Sequence, residues 1–319
     1  MTSSLRFIAV DLGGTQIRAA RYTADGVQEA RVAMSTGAQD GIDAVLRRLR
    51  SAIQQVWAFE GQVAAIGVGA PGPIDFKHGV VRFAPNLPGW FNVPLRDKLL
   101  ENFSIPIFVG NDADLAALAE HRFGAGQGVS DMIYMTISTG IGGGFIFNNR
   151  LYTGGGGLGG EVGHMAMDIN GPACRCGNIG CLETLASGTA IARRARARVQ
   201  GGEPSMLADM LEGDSEITAK EVSEVAQAGD ALARDVFAEA GMYIGAAIVS
   251  LMYMLNPTMF VLGGSVTKAG DLLFDPIRKT INVRAPEVYR DYTRIVPAKL
   301  GGDVGLWGAL ALCLMELDV

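Results

Sequence analysis

Apolar residues recur with two different periods along this chain, and the two periods take turns. Short apolar runs of strand length, Phe7–Asp11, Met132–Ser138 and Met259–Leu262, each run into glycine: Gly13-Gly14, Gly140 with Gly142–Gly144, and Gly263-Gly264. After the first two, the chain resumes in a second strand-like run, IRAARY at 17–22 and FIFN at 145–148. Apolar positions at helical spacing fill the intervals: Ile42–Phe59, Ala113–Phe123, Ser187–Val199, Ala219–Ala228, Ala231–Leu255 and Val304–Leu317. Strands that alternate with helices predict an α/β architecture with two layered sheets. The repeated strand, glycine turn and strand predict two related halves, with a hinge near Ala113, just after the strand at 107–112.

One interval tests this reading. Ala240–Thr267 carries no charge, a length that invites a membrane span. Asn256-Pro257 breaks it, and Gly263-Gly264 ends the second part. Met242–Leu255 then has the length of a buried core helix, and no membrane partner is expected. With 319 residues, 49% of them hydrophobic, the chain can bury a large core and form two domains. A net charge of −6 with no Lys/Arg block excludes nucleic-acid binding of the kind that rests on clustered positive charge. Phosphate would have to be held by backbone N–H groups and a metal cation. MTSSLRFIAVD has no apolar signal-peptide core, so a cytoplasmic protein is expected.

The densest chemistry lies between Glu161 and Glu183. His164, Cys174, Cys176 and Cys181 supply four nitrogen and sulfur ligands, enough to saturate a tetrahedral zinc and leave no place for catalytic water. A cluster of this spacing reads as a structural metal in a reducing cytosol, not as disulfides. Cys313, in ALCLM, reads as a small buried hydrophobe. Glu161 precedes the histidine by one helical turn, and Glu183 lies two residues past the last cysteine. These carboxylates either bind something or are solvated.

Glycine turns are the second candidate. A dinucleotide fingerprint at Thr139–Gly144 is rejected because a strand follows, and no Walker lysine exists. Asp11-Leu12-Gly13-Gly14-Thr15 and Thr139–Gly144 are either ordinary hairpin turns or paired phosphate cradles, since glycine lets backbone N–H groups approach an anion closely. Their equivalent places in two related halves favour the cradle. Asp11 could then hold Mg²⁺ through water, and Thr15 could donate to phosphate. Asn111-Asp112 opens a helix, where an acid is either an N-cap or a proton acceptor; Asp114 could cap while Asp112 faces a cleft. A positioned base contributes roughly 10²–10⁴-fold to phosphoryl transfer. Gly72 sits in APGPID (70–75) and Asn86 in APNLPGW (84–90), both turns, with Asn86 able to reach a sugar hydroxyl and Trp90 assigned to packing. His78 and His121 have neither ligand spacing nor an acid partner in sequence.

Taken together, DLGGT (11–15), APGPID (70–75), NLPGW (86–90), ND (111–112), TGIGGG (139–144) and ExGH…CxCGxxGCxE (161–183) resemble the ROK family of repressors and kinases, and within it most the bacterial glucokinase branch. The resemblance implies the two-domain fold shared by sugar kinases, actin and heat-shock chaperone ATPases (ribonuclease H-like), with a central interdomain cleft. It implies a small domain of 1–113 plus 304–319 and a large one of 114–303. It assigns Asp112 as general base, Asn111, Glu161 and Glu183 as sugar ligands with Gly72 and Asn86, and His164 as both zinc ligand and sugar neighbour. Asp11, Gly13, Gly14, Thr15, Thr139, Gly140, Gly142, Gly143, Gly144, Gly263 and Gly264 would surround the nucleotide. The implied activity is ATP-dependent phosphorylation of a hexose, glucose first, with Mg²⁺ accompanying ATP and zinc structural. N-acetylmannosamine or N-acetylglucosamine kinases share the same polar ligands, and polyphosphate is an alternative donor. A non-catalytic sugar-binding regulator is the reading from another class; ROK repressors prefix a helix-turn-helix, for which a first strand at about Phe7 leaves no room. The family leads us to expect a homodimer or homotetramer.

Overall fold

The computed structural model describes residues 5–57, 63–212 and 216–319. It contains two compact units, Met1–Gly128 with Gly144–Gly160 and Lys299–Val319, and Val129–Gly143 with Glu161–Ala298. The helix from Asp112, expected to open the large domain, therefore belongs with the N-terminal strands.

The chain opens with β1 (Arg6–Leu12), β2 (Gln16–Thr23) and β3 (Gln28–Ser35), then α1 (Ile42–Gln55), β4 (Val63–Ala70), β5 (Ile74–Asp75), β6 (Val80–Phe83), β7 (Phe91–Val93) and α2 (Leu95–Leu100). Next come β8 (Ile107–Asn111), α3 (Asp112–Phe123), β9 (Met132–Ile137), β10 (Ile141–Phe147), β11 (Arg150–Tyr152), α4 (Leu182–Ala186), α5 (Gly188–Gln200), α6 (Ala208–Glu212) and α7 (Ala219–Gln227). The last elements are α8 (Ala231–Leu255), β12 (Met259–Gly263), α9 (Asp271–Arg284), α10 (Glu287–Tyr292), β13 (Arg294–Pro297) and α11 (Val304–Glu316).

Two five-stranded sheets carry the same order: β3-β2-β1-β4-β8 and β11-β10-β9-β12-β13. In the first, β1 runs antiparallel to β2 and parallel to β4, which is parallel to β8. In the second, β9, β12 and β13 are parallel, and β10 and β11 antiparallel. The two related halves read from the sequence are thus one topology used twice. Central strands β1, β4 and β12 are almost continuously buried, as parallel strands covered on both faces require. Edge strand β3 alternates exposed and half-buried positions.

Several local outcomes differ from expectation. Thr139–Gly144 is not one turn: β10 starts at Ile141, so Gly142–Gly144 lie inside a strand and only Ser138–Gly140 turns. The glycine at 144 serves close approach, because a Cβ there would fall 2.9 Å from the Ala113 carbonyl oxygen and 2.7 Å from Ala117 Cβ on α3. Helix α1 stops at Gln55; its expected end at Phe59 lies outside the described residues. The small sheet β5-β6-β7 has strands too short to show a period. Helix α9 has no counterpart among the sequence expectations: it contains Pro276, and proline in a helix interior removes a hydrogen bond. Helix α8 matches its expected span. Asp230 caps it by accepting from the Ala233 N–H, and Asn256 ends it in a left-handed turn before Pro257. Among the described residues α8 alone is long and apolar enough to cross a membrane, and most of its apolar stretch is buried.

Candidate active site

In the first unit, the C-terminal ends of β1, β4 and β8 deliver the candidate residues. Asn111 closes β8 and caps α3, its side-chain oxygen accepting from the Ala113 and Asp114 N–H groups. The cap is therefore Asn111, not Asp114, which is buried. Asn111 Nδ2 donates to the Gly72 carbonyl at 2.8 Å, tying the loop after β4 to the start of α3. Gly72 has φ +83, and a Cβ would collide with the Phe83 carbonyl, so only glycine fits there. Asp112 is exposed at the first position of α3, with Oδ1 accepting from the Ala113 N–H at 2.9 Å. Strand end, cap and helix N-terminus thus present one carboxylate to solvent.

The turn after β1 meets the same region, since a Cβ on Gly14 would lie 2.8 Å from Asn86 Cβ. Asn86 itself is exposed. Gly13 N–H donates to the Gln16 carbonyl, and the Gly13 carbonyl accepts from Thr36 Oγ1 at 2.7 Å, so the turn is braced at both ends. Thr15 is exposed beside it. Asp11 is held by Arg18, whose Nε donates to Oδ2 at 3.0 Å and whose Nη2 reaches the same oxygen. Arg18 also donates to the Gly302 carbonyl at 2.7 Å, next to the start of α11.

In the second unit, Glu183 in the first turn of α4 lies on the β9–β10 turn. Its Oε2 accepts from the Ile141 N–H at 3.0 Å, and a Cβ on Gly140 would strike that oxygen. The expected sugar ligand and the expected phosphate turn are therefore one construction. The Thr139 carbonyl accepts from Thr189 Oγ1 at 2.8 Å, and the Ser138 carbonyl accepts from the Gly188 N–H at 2.7 Å. Ser138 and Ser265 hydroxyls lie 2.9 Å apart, joining this turn to the one after Gly263-Gly264. Gly264 has φ +93 and no room for a Cβ against Ile137. Gly142 and Gly143, inside β10, lie next to this turn rather than in it.

Beside these turns opens a cavity of about 890 Å³, lined among others by Thr139, Thr189, Arg193, Ile217, Lys220 and Lys268. Its size suits a nucleoside-sized ligand. No residue of α5 or α7 is a sequence candidate, because an isolated Arg or Lys on an amphipathic helix is indistinguishable from a solvated one.

The four metal-ligand candidates come together. One donor atom from each of His164, Cys174, Cys176 and Cys181 lies within 4.8 Å of the others. Cys176 and Cys181 sulfurs are 3.7 Å apart, as are Cys174 sulfur and His164 Nδ1. A tetrahedral zinc with sulfur ligands at about 2.3 Å and nitrogen near 2.0 Å requires edges of roughly 3.8 and 3.5 Å. The donor set fits. A tight hairpin makes the cluster: Cys174 N–H donates to the Asn178 carbonyl, and Ala166 pairs with Cys181. Burial pushes the Cys181 thiol up to about 12, and the neighbouring Cys174 and Cys176 add to the rise. A divalent cation at the cluster centre would reverse that, since a thiolate is the ligand form.

With Nδ1 turned to the cysteines, His164 Nε2 faces Glu161 Oε2 at 4.0 Å. Partial burial raises the Glu161 carboxyl above its ordinary range; His164 opposes the rise and the Glu183 charge adds to it.

The ROK family profile matches residues 7–316. The chain belongs to the ROK family. It is similar to the glucokinase of Thermotoga maritima, 36% identical over 313 residues that cover 97% of each chain. Among solved structures it is similar to a ROK family glucokinase from Streptomyces griseus in complex with glucose and AMPPNP, at 37% identity and a TM-score of 0.80, over 96% of this chain and 98% of that one. It is also similar to a ROK family transcriptional regulator, a homologue of the E. coli MLC protein, at 30% identity and a TM-score of 0.88, over 99% of this chain and 80% of the regulator. The doubled five-stranded sheet is accordingly the ROK version of the actin-like ATPase fold.

Proposed function

We propose that this ROK protein is an ATP-dependent hexose kinase that converts glucose to glucose 6-phosphate. The observation that carries the reading is the construction around Asp112, an exposed carboxylate on a helix start whose cap, Asn111, is itself bonded to the Gly72 loop. Full-length similarity to glucokinases supports the same substrate and donor.

In this reading Asp112 accepts the proton of the glucose 6-hydroxyl as that oxygen attacks the γ-phosphorus of ATP. The new O–P bond forms as the bond to the β–γ bridging oxygen breaks, and ADP leaves. Phosphoryl transfer asks little covalent chemistry of the protein, so the remaining acceleration comes from positioning and from charge stabilisation. Asn111, Glu161, Glu183, Gly72 and Asn86 orient the sugar, with His164 beside it, because amides and carboxylates match paired hydroxyls. Backbone groups at Gly13-Gly14-Thr15, Thr139-Gly140 and Gly263-Gly264 approach the phosphates, and the 890 Å³ cavity takes the nucleoside, which favours ATP over polyphosphate. Mg²⁺ bound with ATP would neutralise the developing phosphate charge, with Asp11 oriented toward it by Arg18.

Zinc is the metal the Cys₃His set selects, and its role is structural: it holds the loop that aims Glu161 and Glu183. The protein would act in the cytoplasm as a homodimer or homotetramer. The test is ADP release with Mg-ATP across glucose, mannose, fructose, N-acetylglucosamine and N-acetylmannosamine, beside Asp112→Asn. Turnover on glucose that falls roughly 10²–10⁴-fold in the variant, with glucose binding retained, is expected. Preference for an N-acetyl sugar would replace the substrate and keep the mechanism. Sugar binding without any turnover would place the chain among the sensors.

A further inference from the structure

Helix α8 ends in an oddity. From Ala240 to Leu255 it carries no charge, yet one stripe of this stretch is not buried. Met242, Tyr243, Ala246, Ser250, Tyr253 and Met254 are exposed or half-buried, and at 100° per residue they span about 120° of the helix surface. Exposure reaches 52% at Tyr253 and 74% at Met254. Tyr253 stacks edge-on against Tyr289 at 4.9 Å, which continues the surface onto α10 and the end of α9, where Val283, Val288 and Tyr292 are 79%, 73% and 54% exposed. The exposed apolar residues of α8, the end of α9 and α10 together present on the order of 700 Å². A standard interface removes roughly 800 Å² from each partner.

The order of residues says what covers it. The stripe is a palindrome about Ile248: Met242 mirrors Met254, Tyr243 mirrors Tyr253, and Ala246 mirrors Ser250. A two-fold axis through an antiparallel pair of these helices, at the level of Ile248, places each residue against its mate on the other copy. The small pair at the centre permits close approach, and the large pairs fill the ends. Glu239, the next residue on the stripe, lies outside the palindrome and is paired with Arg194 at 3.1 Å. Arg284, Glu287 and Asp291, one basic and two acidic and all exposed, stand at the border as a polar rim would.

We propose that this face is the two-fold interface of a homodimer, with α8 of one copy antiparallel to α8 of the other in the register that sets Met242 against Met254. The proposal rests on the homo-oligomer reading above and adds its surface and register. The experiment is sedimentation equilibrium of the full chain and of Met254→Glu, Met242→Arg and the double variant, with thermal unfolding as a fold control. Each single variant should weaken association roughly a hundredfold or more, because it buries an unpaired charge at both ends of the contact. In the double variant the introduced arginine of each copy would meet the introduced glutamate of the other, once at each end of the contact, and the dimer should return.

Dissociation without recovery in the folded double variant overturns the register. A dimer indifferent to Met254→Glu overturns the surface while leaving the homo-oligomer reading intact. A wild-type monomer at tens of micromolar overturns both. Flotation of the monomer with lipid vesicles would assign the face to a membrane instead and likewise overturn the proposal.

Discussion

Gly144→Ala offers a sharp test of how the fold positions its candidate base. The added Cβ would lie 2.7 Å from Ala117 Cβ, 2.9 Å from the Ala113 carbonyl oxygen and 3.0 Å from Asp114 Cα. Two of those three atoms are backbone in the first turn of α3, so no side chain can rotate away. Relief to ordinary contact distances of about 3.5–4 Å requires the first turn to move by roughly 0.5–1 Å. Overpacking of this kind costs about 1–3 kcal/mol, which in a chain this size lowers Tm by roughly 1–5 °C. Asp112 rides on the same turn, and a misplacement near 1 Å can cost up to about 10²-fold in rate. The expected outcome is therefore a kcat lowered roughly 10–100-fold, with KM for ATP little changed. Steady-state kinetics and thermal unfolding measure the two effects side by side. Gly155→Ala is the control, because nothing lies within 4 Å of its Cβ position. Lowered Tm with undiminished kcat would falsify the claim that the first turn of α3 sets the geometry of the reaction.

Three further outcomes can be measured. Chelation, or Cys176→Ser, should lower glucose affinity and thermal stability together, since one loop carries the ligands and both Glu161 and Glu183; calorimetry showing full affinity in metal-free protein would break that link. For Glu161 the sign follows from its raised carboxyl: the folded state holds the proton more tightly, so its ionisation destabilises the fold as pH rises through and above the ordinary glutamate range. Glu161→Gln should then gain in Tm relative to wild type as pH rises through and above the ordinary glutamate range, while binding glucose more weakly, and a Tm difference that is flat with pH would contradict it. Arg18→Ala should raise KM for Mg-ATP more than for glucose, because Arg18 holds Asp11 by one oxygen, and Arg18→Lys should recover part of the loss; equal effects on both substrates would count against that role.

Much of the site is legible in the sequence. The ligand cluster is local, confined to the eighteen residues from His164 to Cys181, so spacing alone names it. Asn111 and Asp112 sit where a strand ends and a helix begins, a boundary the periods mark clearly. Glycine is the misleading signal. Gly142–Gly144 read as a turn because glycine permits turns, whereas the structure uses Gly144 inside a strand to admit a neighbouring helix. Asp114 offers itself as the cap in the sequence, yet Asn111, one residue before the helix, performs that role. The cavity beside Thr139 leaves no trace in the sequence because its walls come from segments 138–139, 188–196, 216–227 and 265–269 together with Phe237, none of which is unusual by itself.

Period and spacing are properties of neighbours along the chain, which is why elements, the two related halves and the metal cluster can be inferred from sequence alone. Contacts between distant segments are not. That Glu183 accepts from the backbone at Ile141, that Arg18 holds Asp11 against the start of α11, and that the stripe from Met242 to Met254 is left uncovered depend on which faces the packing consumes. Helix α8 shows the division most plainly. Its length and apolar character are written in its residues, but only the tertiary structure decides which of its apolar side chains are spent on the core and which remain exposed.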